Sequence, residues 1–221
     1  MRDLAKSEVI KSAAIAALVG CLACYPRLDL WSDRKYPVWY LALLLALGGF
    51  VFWAFVFAWH TKYTQRPVFN LKPGLAPVTM VTLVAVLLAS LQYWVFDPPL
   101  RARLPAEYPA NAHEWFATVL FGLAFTHLFL VFAPFDWTMR LFKHQSIAIV
   151  VVVLFGMIVI VRKLQSMPDQ MPANVVVMLV FARGISSLVA VWLYARYGIT
   201  LVWWWSFLLQ ARHLLALAGT L

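Results

Sequence analysis

A small set of polar and ionisable side chains lies inside long apolar stretches of this 221-residue sequence. The set contains a carboxylate, a guanidinium, three imidazoles and four hydroxyl or amide groups: Glu114, Arg183, His113, His127, His213, Thr118, Ser187, Ser206 and Gln210. Such groups could activate water for hydrolysis or hydrogen-bond packed helices to one another. A charge near the centre of a bilayer is costly unless it is paired or hydrated, so these residues are the first candidates for function.

Three groups of these residues recur at helical spacing, which places each group on one face of a helix. The groups are Ser206 with Gln210 and His213, Arg183 with Ser187, and Glu114 with Thr118. We therefore expect three polar helix faces to meet at one interior site, where Glu114 would be the counter-charge of Arg183. The alternative is structural, because hydroxyl, amide and imidazole groups, His127 included, also bond packed membrane helices at roughly 0.6 to 2 kcal/mol each.

The composition places this site inside a membrane protein. Hydrophobic residues make up 64% of the chain and charged residues 12%, whereas soluble domains average roughly 45–50% and about 25%. The formal charge of +9 comes from basic residues that lie mostly between apolar runs, where they orient the protein and meet anionic headgroups. Membrane lipids are therefore expected partners, and nothing indicates nucleic acid. Cys21 and Cys24 are too few for a disulfide framework or a four-thiolate metal site.

Seven segments approach or exceed the length that crosses a bilayer, for which about 20 residues are needed. They are residues 9–25, 38–60, 75–96, 113–133, 146–161, 173–197 and 199–221. We therefore predict an all-α, multi-pass membrane protein, with the tryptophans at 203–205 in an interface belt. Residues 18–21 (LVGC) resemble a lipoprotein cleavage box, but Asp3 and Glu8 are atypical of a signal peptide, so we expect an uncleaved first helix.

The stretch 97–112 contains four prolines and two arginines. It predicts a connecting loop between a three-helix segment (1–96) and a four-helix core (113–221). Basic residues number nine on the side that holds the N-terminus and seven on the other. This difference favours a cytoplasmic N-terminus, and we expect residence in a bacterial inner membrane.

Four stretches of the last four segments carry a resemblance to a known family. They are residues 113–118 (HEWFAT), 146–159 (SIAIVVVVLFGMIV), 193–203 (LYARYGITLVW) and 208–217 (LLQARHLLAL). In order and spacing they resemble the CAAX prenyl protease and bacteriocin-processing (CPBP, or Abi) superfamily of intramembrane proteases. The resemblance covers about half the chain and implies a CPBP-like core of four helices. It also implies hydrolysis by a glutamate pair, an arginine and two histidines.

This sequence departs from the family pattern at the catalytic positions. The glutamate pair is His113 and Glu114, and Thr118 replaces the arginine. Val159 stands at the first histidine position, and His213 stands where the family has asparagine. We therefore favour a catalytically silent relative that serves as a scaffold or as an accessory subunit with other membrane proteins. The alternative is a divergent endopeptidase in which Glu114 acts with His113 and His213 on a membrane or lipidated substrate.

Other functions fit the sequence less well. A retinal protein needs a lysine in its last helix for the Schiff base, and the seventh segment has none. His113 and His127 are fourteen residues apart, as two haem ligands on one helix could be, but His60 and His213 do not supply the matching pair. A transporter would be expected to carry an internal repeat, and none is detectable. We predict no cofactor, and the sequence leaves a metal ion undecided.

Overall fold

The described residues form a bundle of seven long helices. The structure is a computed structural model that describes residues 3–31, 34–105, 108–166 and 172–218. Within these ranges there is no β-strand, and the long helices are α1 (Ser7–Asp29), α2 (Val38–Thr64), α3 (Leu75–Arg103), α4 (Ala112–Phe142), α5 (Gln145–Gln165), α6 (Ala173–Tyr197) and α7 (Ile199–Ala218). The predicted all-α, multi-pass membrane fold is thus confirmed.

Six of these helices, α1 to α6, are long and apolar enough to cross a membrane in the described part of the chain. Helix α7 has 20 residues, which suffices in length. Its polar residues Gln210, Arg212 and His213, together with three tryptophans, lower its hydropathy below that of the other helices. A seventh span therefore stays a prediction.

Helices α3 and α4 are longer than their apolar stretches predicted. Helix α3 passes through a π-helical segment, Gln92–Phe96, and continues over Asp97–Arg103, so the connection expected at 97–112 begins only at Leu104. Pro98 and Pro99 lie in the first turn after the π-helical segment, where a missing backbone N–H is tolerated. The remaining helices end within about one turn of their predicted bounds, and residues 219–221 lie outside the described residues.

Helix α4 continues to Phe142 rather than ending near Ala133. It contains two π-helical segments, Gly122–Thr126 and Leu128–Phe132, and Pro134 follows the second. A π-helical turn is tolerated where its side chains have a packing or functional role. The additional turns bring Asp136 into the core of the bundle, where it is fully buried.

Small residues allow the helices to approach closely. Helix α1 packs along α2 with Gly49 opposite Ala17, where even a Cβ on Gly49 would lie 3.9 Å from Ala17 Cβ; small residues are usual where membrane helices pack. Gly198 joins α6 to α7 with a φ of +78°, and a Cβ there would lie 2.7 Å from the carbonyl oxygens of Pro67 and Val68. The positive φ and the close approach of these carbonyl oxygens both exclude a side chain at position 198. Glycine there therefore sets the angle at which α7 returns along the bundle.

Candidate functional site

A polar cavity of about 260 Å³ lies between α3, α4, α6 and α7. We call it the Arg183 cavity. Six residues singled out from the sequence line it: Thr118, His127, Arg183, Ser187, Ser206 and Gln210. Gln92, Thr126, Ser186 and Arg212 add four further polar groups that the sequence analysis did not assign to the site. Three of the predicted polar helix faces therefore contribute to one space.

Helix α4 shapes its wall of the cavity through the π-helical segment Gly122–Thr126. The backbone N–H of His127 and its Nδ1 both approach the carbonyl oxygen of Gly122, the ring nitrogen at 2.7 Å. An Nδ1–H that donates to this carbonyl leaves Nε2 as the hydrogen-bond acceptor of a neutral imidazole. The extra residue of the π turn also rotates Thr126 and His127 towards α6 and α7.

Arg183 is the charged group of this cavity that lacks an ion-pair partner among the described residues, whereas Arg212, which also lines it, is paired with Asp97. It lies ten residues into the 25-residue helix α6, which is roughly 15 Å along the helix axis. Within the described residues its guanidinium forms no ion pair and no hydrogen bond, and no carboxylate lines the cavity around it. A guanidinium stays protonated in proteins, so the cavity carries a positive charge that the described side chains do not neutralise.

Gly156 on α5 makes room for the polar face of α6. A Cβ at position 156 would lie 2.8 Å from Ser187 Oγ and 3.8 Å from Arg183 Nε. A side chain at this position would therefore force the Ser187 hydroxyl to move, whereas its Cβ would lie at an ordinary contact distance from Arg183 Nε. The glycine of the stretch 146–159 thus serves the cavity from a helix that does not supply polar groups to it.

A second polar space of about 350 Å³ adjoins the first. We call it the Arg212 cleft, and it shares Gln92, Thr118, Gln210 and Arg212 with the Arg183 cavity. It extends to Lys163 and Leu164 near the end of α5 and to Tyr108 and Pro109 in the loop before α4. The two spaces therefore lie side by side, separated by the side chains that they share, and we refer to them together as the polar passage.

Asp97 and Arg212 hold the Arg212 cleft together. Arg212 Nε donates to Asp97 Oδ2 at 2.9 Å, Arg212 Nη1 donates to the Leu209 carbonyl at 2.6 Å, and the Tyr108 hydroxyl donates to Asp97 Oδ1 at 3.2 Å. Burial, together with the Asp97 carboxylate, raises the pKa of Tyr108 above its ordinary value, so this hydroxyl stays protonated. His213 also lines this cleft, with its ring edge against Tyr108.

Glu114 lies outside both spaces. Its backbone N–H donates to Asn111 Oδ1 at 2.9 Å, and its carboxylate accepts from the Ala110 N–H at 2.9 Å and from Asn111 Nδ2 at 3.2 Å. This reciprocal arrangement is a helix N-cap, here with asparagine as the capping residue. His113 beside it is exposed. The expected pairing of Glu114 with Arg183 does not form among the described residues, because both carboxylate oxygens are engaged at the start of α4.

A buried carboxylate that the sequence analysis overlooked joins α2, α4 and α6. Asp136 accepts a hydrogen bond from the Tyr194 hydroxyl at 2.5 Å, and its other oxygen lies 3.3 Å from His60 Nδ1. The contact with His60 is close enough for an electrostatic attraction but lacks hydrogen-bond alignment. All three side chains are fully buried. Glu114 is therefore not the only carboxylate in the last four helices, and Asp136 escaped notice because α4 was expected to end at Ala133.

Tryptophans of α7 contact other helices of the bundle. Trp203 Nε1 donates to the Leu123 carbonyl and Trp204 Nε1 to Thr82 Oγ1, both at 2.9 Å, while Trp205 is buried beside the Arg183 cavity. The expectation that 203–205 form an exposed interface belt is therefore wrong for Trp205. These hydrogen bonds fix α7, and with it Ser206 and Gln210, against α3 and α4.

No group of three or more metal-ligating side chains of the His, Cys, Asp or Glu type exists in the described ranges. His113 and His127 also lie in different surroundings, one exposed and one at the cavity. Comparison with known protein families, curated proteins and solved structures finds no match. The fold and the site define an all-α, multi-pass membrane protein with a polar, positively charged cavity.

Proposed function

We propose that this protein is a catalytically silent, CPBP-like membrane protein that acts as a scaffold or accessory subunit of a membrane complex. The position of the Glu114 carboxylate carries the proposal. A general base must come within hydrogen-bond reach of the water that it activates. Glu114 instead caps α4 through Asn111 and Ala110 and lines neither polar space.

The other acid near the polar passage is no better placed as a base. Asp97 already binds the guanidinium of Arg212 and the hydroxyl of Tyr108. Both of its carboxylate oxygens therefore already accept hydrogen bonds from protein groups. The family's arginine and first histidine are replaced here by Thr118 and Val159, so two further groups of the hydrolytic set are missing.

The endopeptidase alternative assigns catalysis to Glu114 with His113 and His213. It would require the cap at the start of α4 to open, because His213 lies in the Arg212 cleft while Glu114 and His113 lie outside it. Losing a cap costs about 1 kcal/mol, so opening is energetically accessible. A direct assay of proteolysis therefore separates the two functions.

Proteomics of native membranes tests the proposal. Membranes from a deletion strain are compared with membranes from strains complemented with the wild type, Glu114→Gln or Glu8→Gln. Glu8 is an exposed acid near the start of α1 and serves as the matched control. We expect deletion to lower the amounts of partner membrane proteins and all three complementing forms to restore them, with no change in protein termini. New termini that require the chain and vanish only with Glu114→Gln would establish the endopeptidase instead.

We further propose that α7 is a seventh span, that the N-terminus is cytoplasmic and that the protein resides in a bacterial inner membrane. Twenty residues of helix reach about 30 Å, the thickness of the hydrocarbon core. The numbers of basic residues on the two sides support this orientation. Fusions at the C-terminus test it: alkaline phosphatase should be active there and green fluorescent protein dark. The opposite pattern would contradict either the seventh span or the orientation.

A further inference from the structure

We propose that the Arg183 cavity is a binding site for a phosphate group, presented either as inorganic phosphate or as the phosphate headgroup of a membrane lipid. This site goes beyond the scaffold role and does not depend on it. Three features of the cavity support the proposal: its charge, the types of its polar groups, and its position beside the Arg212 cleft.

The first of these features is the positive charge of Arg183. Arg183 lies deep in the bundle without a carboxylate partner among the described side chains. An uncompensated charge at this depth costs several kcal/mol, and a bound anion would remove most of that cost. Arg212, the other arginine that lines the cavity, is already paired with Asp97. Arg183 is therefore the charge that would attract an anion to this space.

Polar groups on three helices can donate hydrogen bonds to an anion in the cavity. The guanidinium offers N–H groups in a planar fork that matches phosphate oxygens. Hydroxyls of Thr118, Ser187 and Ser206 and the amide of Gln210 can donate from three helices. Donors that converge from several directions suit the tetrahedral oxygens of a phosphate better than the planar oxygens of a carboxylate. The cavity volume of about 260 Å³ holds a phosphate with a few waters, since water occupies roughly 30 Å³ per molecule.

The passage supplies a route for an anion. Lys163 lies in the last turn of α5 and lines the outer part of the Arg212 cleft. Arg212 lines both spaces, and Arg183 lies in the inner one. Basic side chains therefore follow one another from the end of the bundle inwards. Gly156 leaves room for this arrangement, because a side chain there would displace the Ser187 hydroxyl from the wall beside Arg183.

Binding is measured on the full chain purified in a maltoside detergent, which contains no phosphate. Titration with inorganic phosphate is followed by the midpoint of thermal unfolding, and titration with phosphatidic acid is followed by native mass spectrometry, with diacylglycerol as the uncharged lipid control. We expect saturable binding of at least one of the two phosphates and none of diacylglycerol. Binding of inorganic phosphate identifies the free ion as a ligand, binding of phosphatidic acid alone identifies a lipid headgroup, and binding of neither overturns the proposal.

Variants connect the binding to the cavity. Arg183→Gln should weaken phosphate binding about ten- to a hundredfold, as expected when one charge-assisted contact is lost, whereas Arg183→Lys should retain part of it. Arg162→Gln removes the same charge from an exposed position in α5 and should leave the affinity unchanged. Arg183→Gln should also unfold at a temperature equal to or above that of the unliganded wild type, which separates loss of binding from loss of folding. Equal weakening by Arg162→Gln and Arg183→Gln would overturn the proposal.

Discussion

Removing the Tyr194 hydroxyl should destabilise the bundle measurably. Tyr194 donates to Asp136 in a fully buried position, and the only other polar contact of that carboxylate within the described residues is His60. Tyr194→Phe keeps the ring packing against Phe132 and Phe135 and deletes one hydrogen bond to a carboxylate. Hydrogen bonds to charged groups contribute about 1.5–3 kcal/mol, so we expect a loss of that size in the free energy of unfolding.

The assay is reversible unfolding in mixed micelles with increasing dodecyl sulfate, followed by circular dichroism. Tyr197→Phe is the matched control, because Tyr197 lies on the same helix and makes no hydrogen bond through its hydroxyl in the described structure. It should cost less than about 0.5 kcal/mol. In an Asp136→Asn background the cost of Tyr194→Phe should fall to about 0.5–1.5 kcal/mol, since the acceptor is then neutral. Equal losses for the two tyrosine variants would refute the role of the buried network.

Three further variants test separate parts of the structure by the same unfolding assay. Arg212→Leu should cost about 3–5 kcal/mol, because it leaves Asp97 buried beside only a hydroxyl; a loss below about 1 kcal/mol would mean that the pair is solvated. Asn111→Ala should cost about 1 kcal/mol through the loss of the α4 cap, and a neutral effect would contradict the cap. Gly156→Ala should cost about 1–3 kcal/mol by overpacking, and Ser187→Ala in the same chain should restore most of it; failure to restore would place the clash elsewhere.

Periodicity and hydropathy predicted the helices, because apolar length and 3.6-residue spacing depend on the local sequence alone. The same spacing led to the group of polar residues around Arg183, since a membrane helix turns its polar face towards protein. Asp97 and Asp136 were missed for one physical reason. Both lie within two residues of a proline, a residue that commonly ends a helix. The local sequence shows neither the π-helical segments that precede these prolines nor the partners Arg212 and Tyr194 on other helices.

Glu114 shows the converse case, in which the sequence pattern singled out a residue that the structure places outside the site. Its spacing to Thr118 placed both on one face of α4, and Thr118 does line the cavity. A residue in the first turn, however, has unpaired backbone N–H groups within reach, and these compete for its carboxylate. The capping residue Asn111 stands three positions earlier, so the local sequence did contain the signal for a cap. The resemblance to a protease motif instead favoured a catalytic interpretation of Glu114.

Cysteine accessibility inside the bundle tests most directly whether the Arg183 cavity is hydrated and positively charged. In a chain with Cys21 and Cys24 replaced by alanine, Ser186→Cys places a thiol in the cavity wall, and Val177→Cys places one on the exposed, apolar face of the same helix. The rate at which each cysteine reacts is measured with an anionic and with a cationic methanethiosulfonate. Each rate is divided by the rate at which the same reagent reacts with a free thiol in solution. We expect Ser186→Cys to react faster with the anionic reagent and Val177→Cys to react with neither reagent. Adding Arg183→Gln should remove the preference at position 186. No reaction at position 186, or a preference there for the cationic reagent, would contradict a hydrated and positively charged cavity.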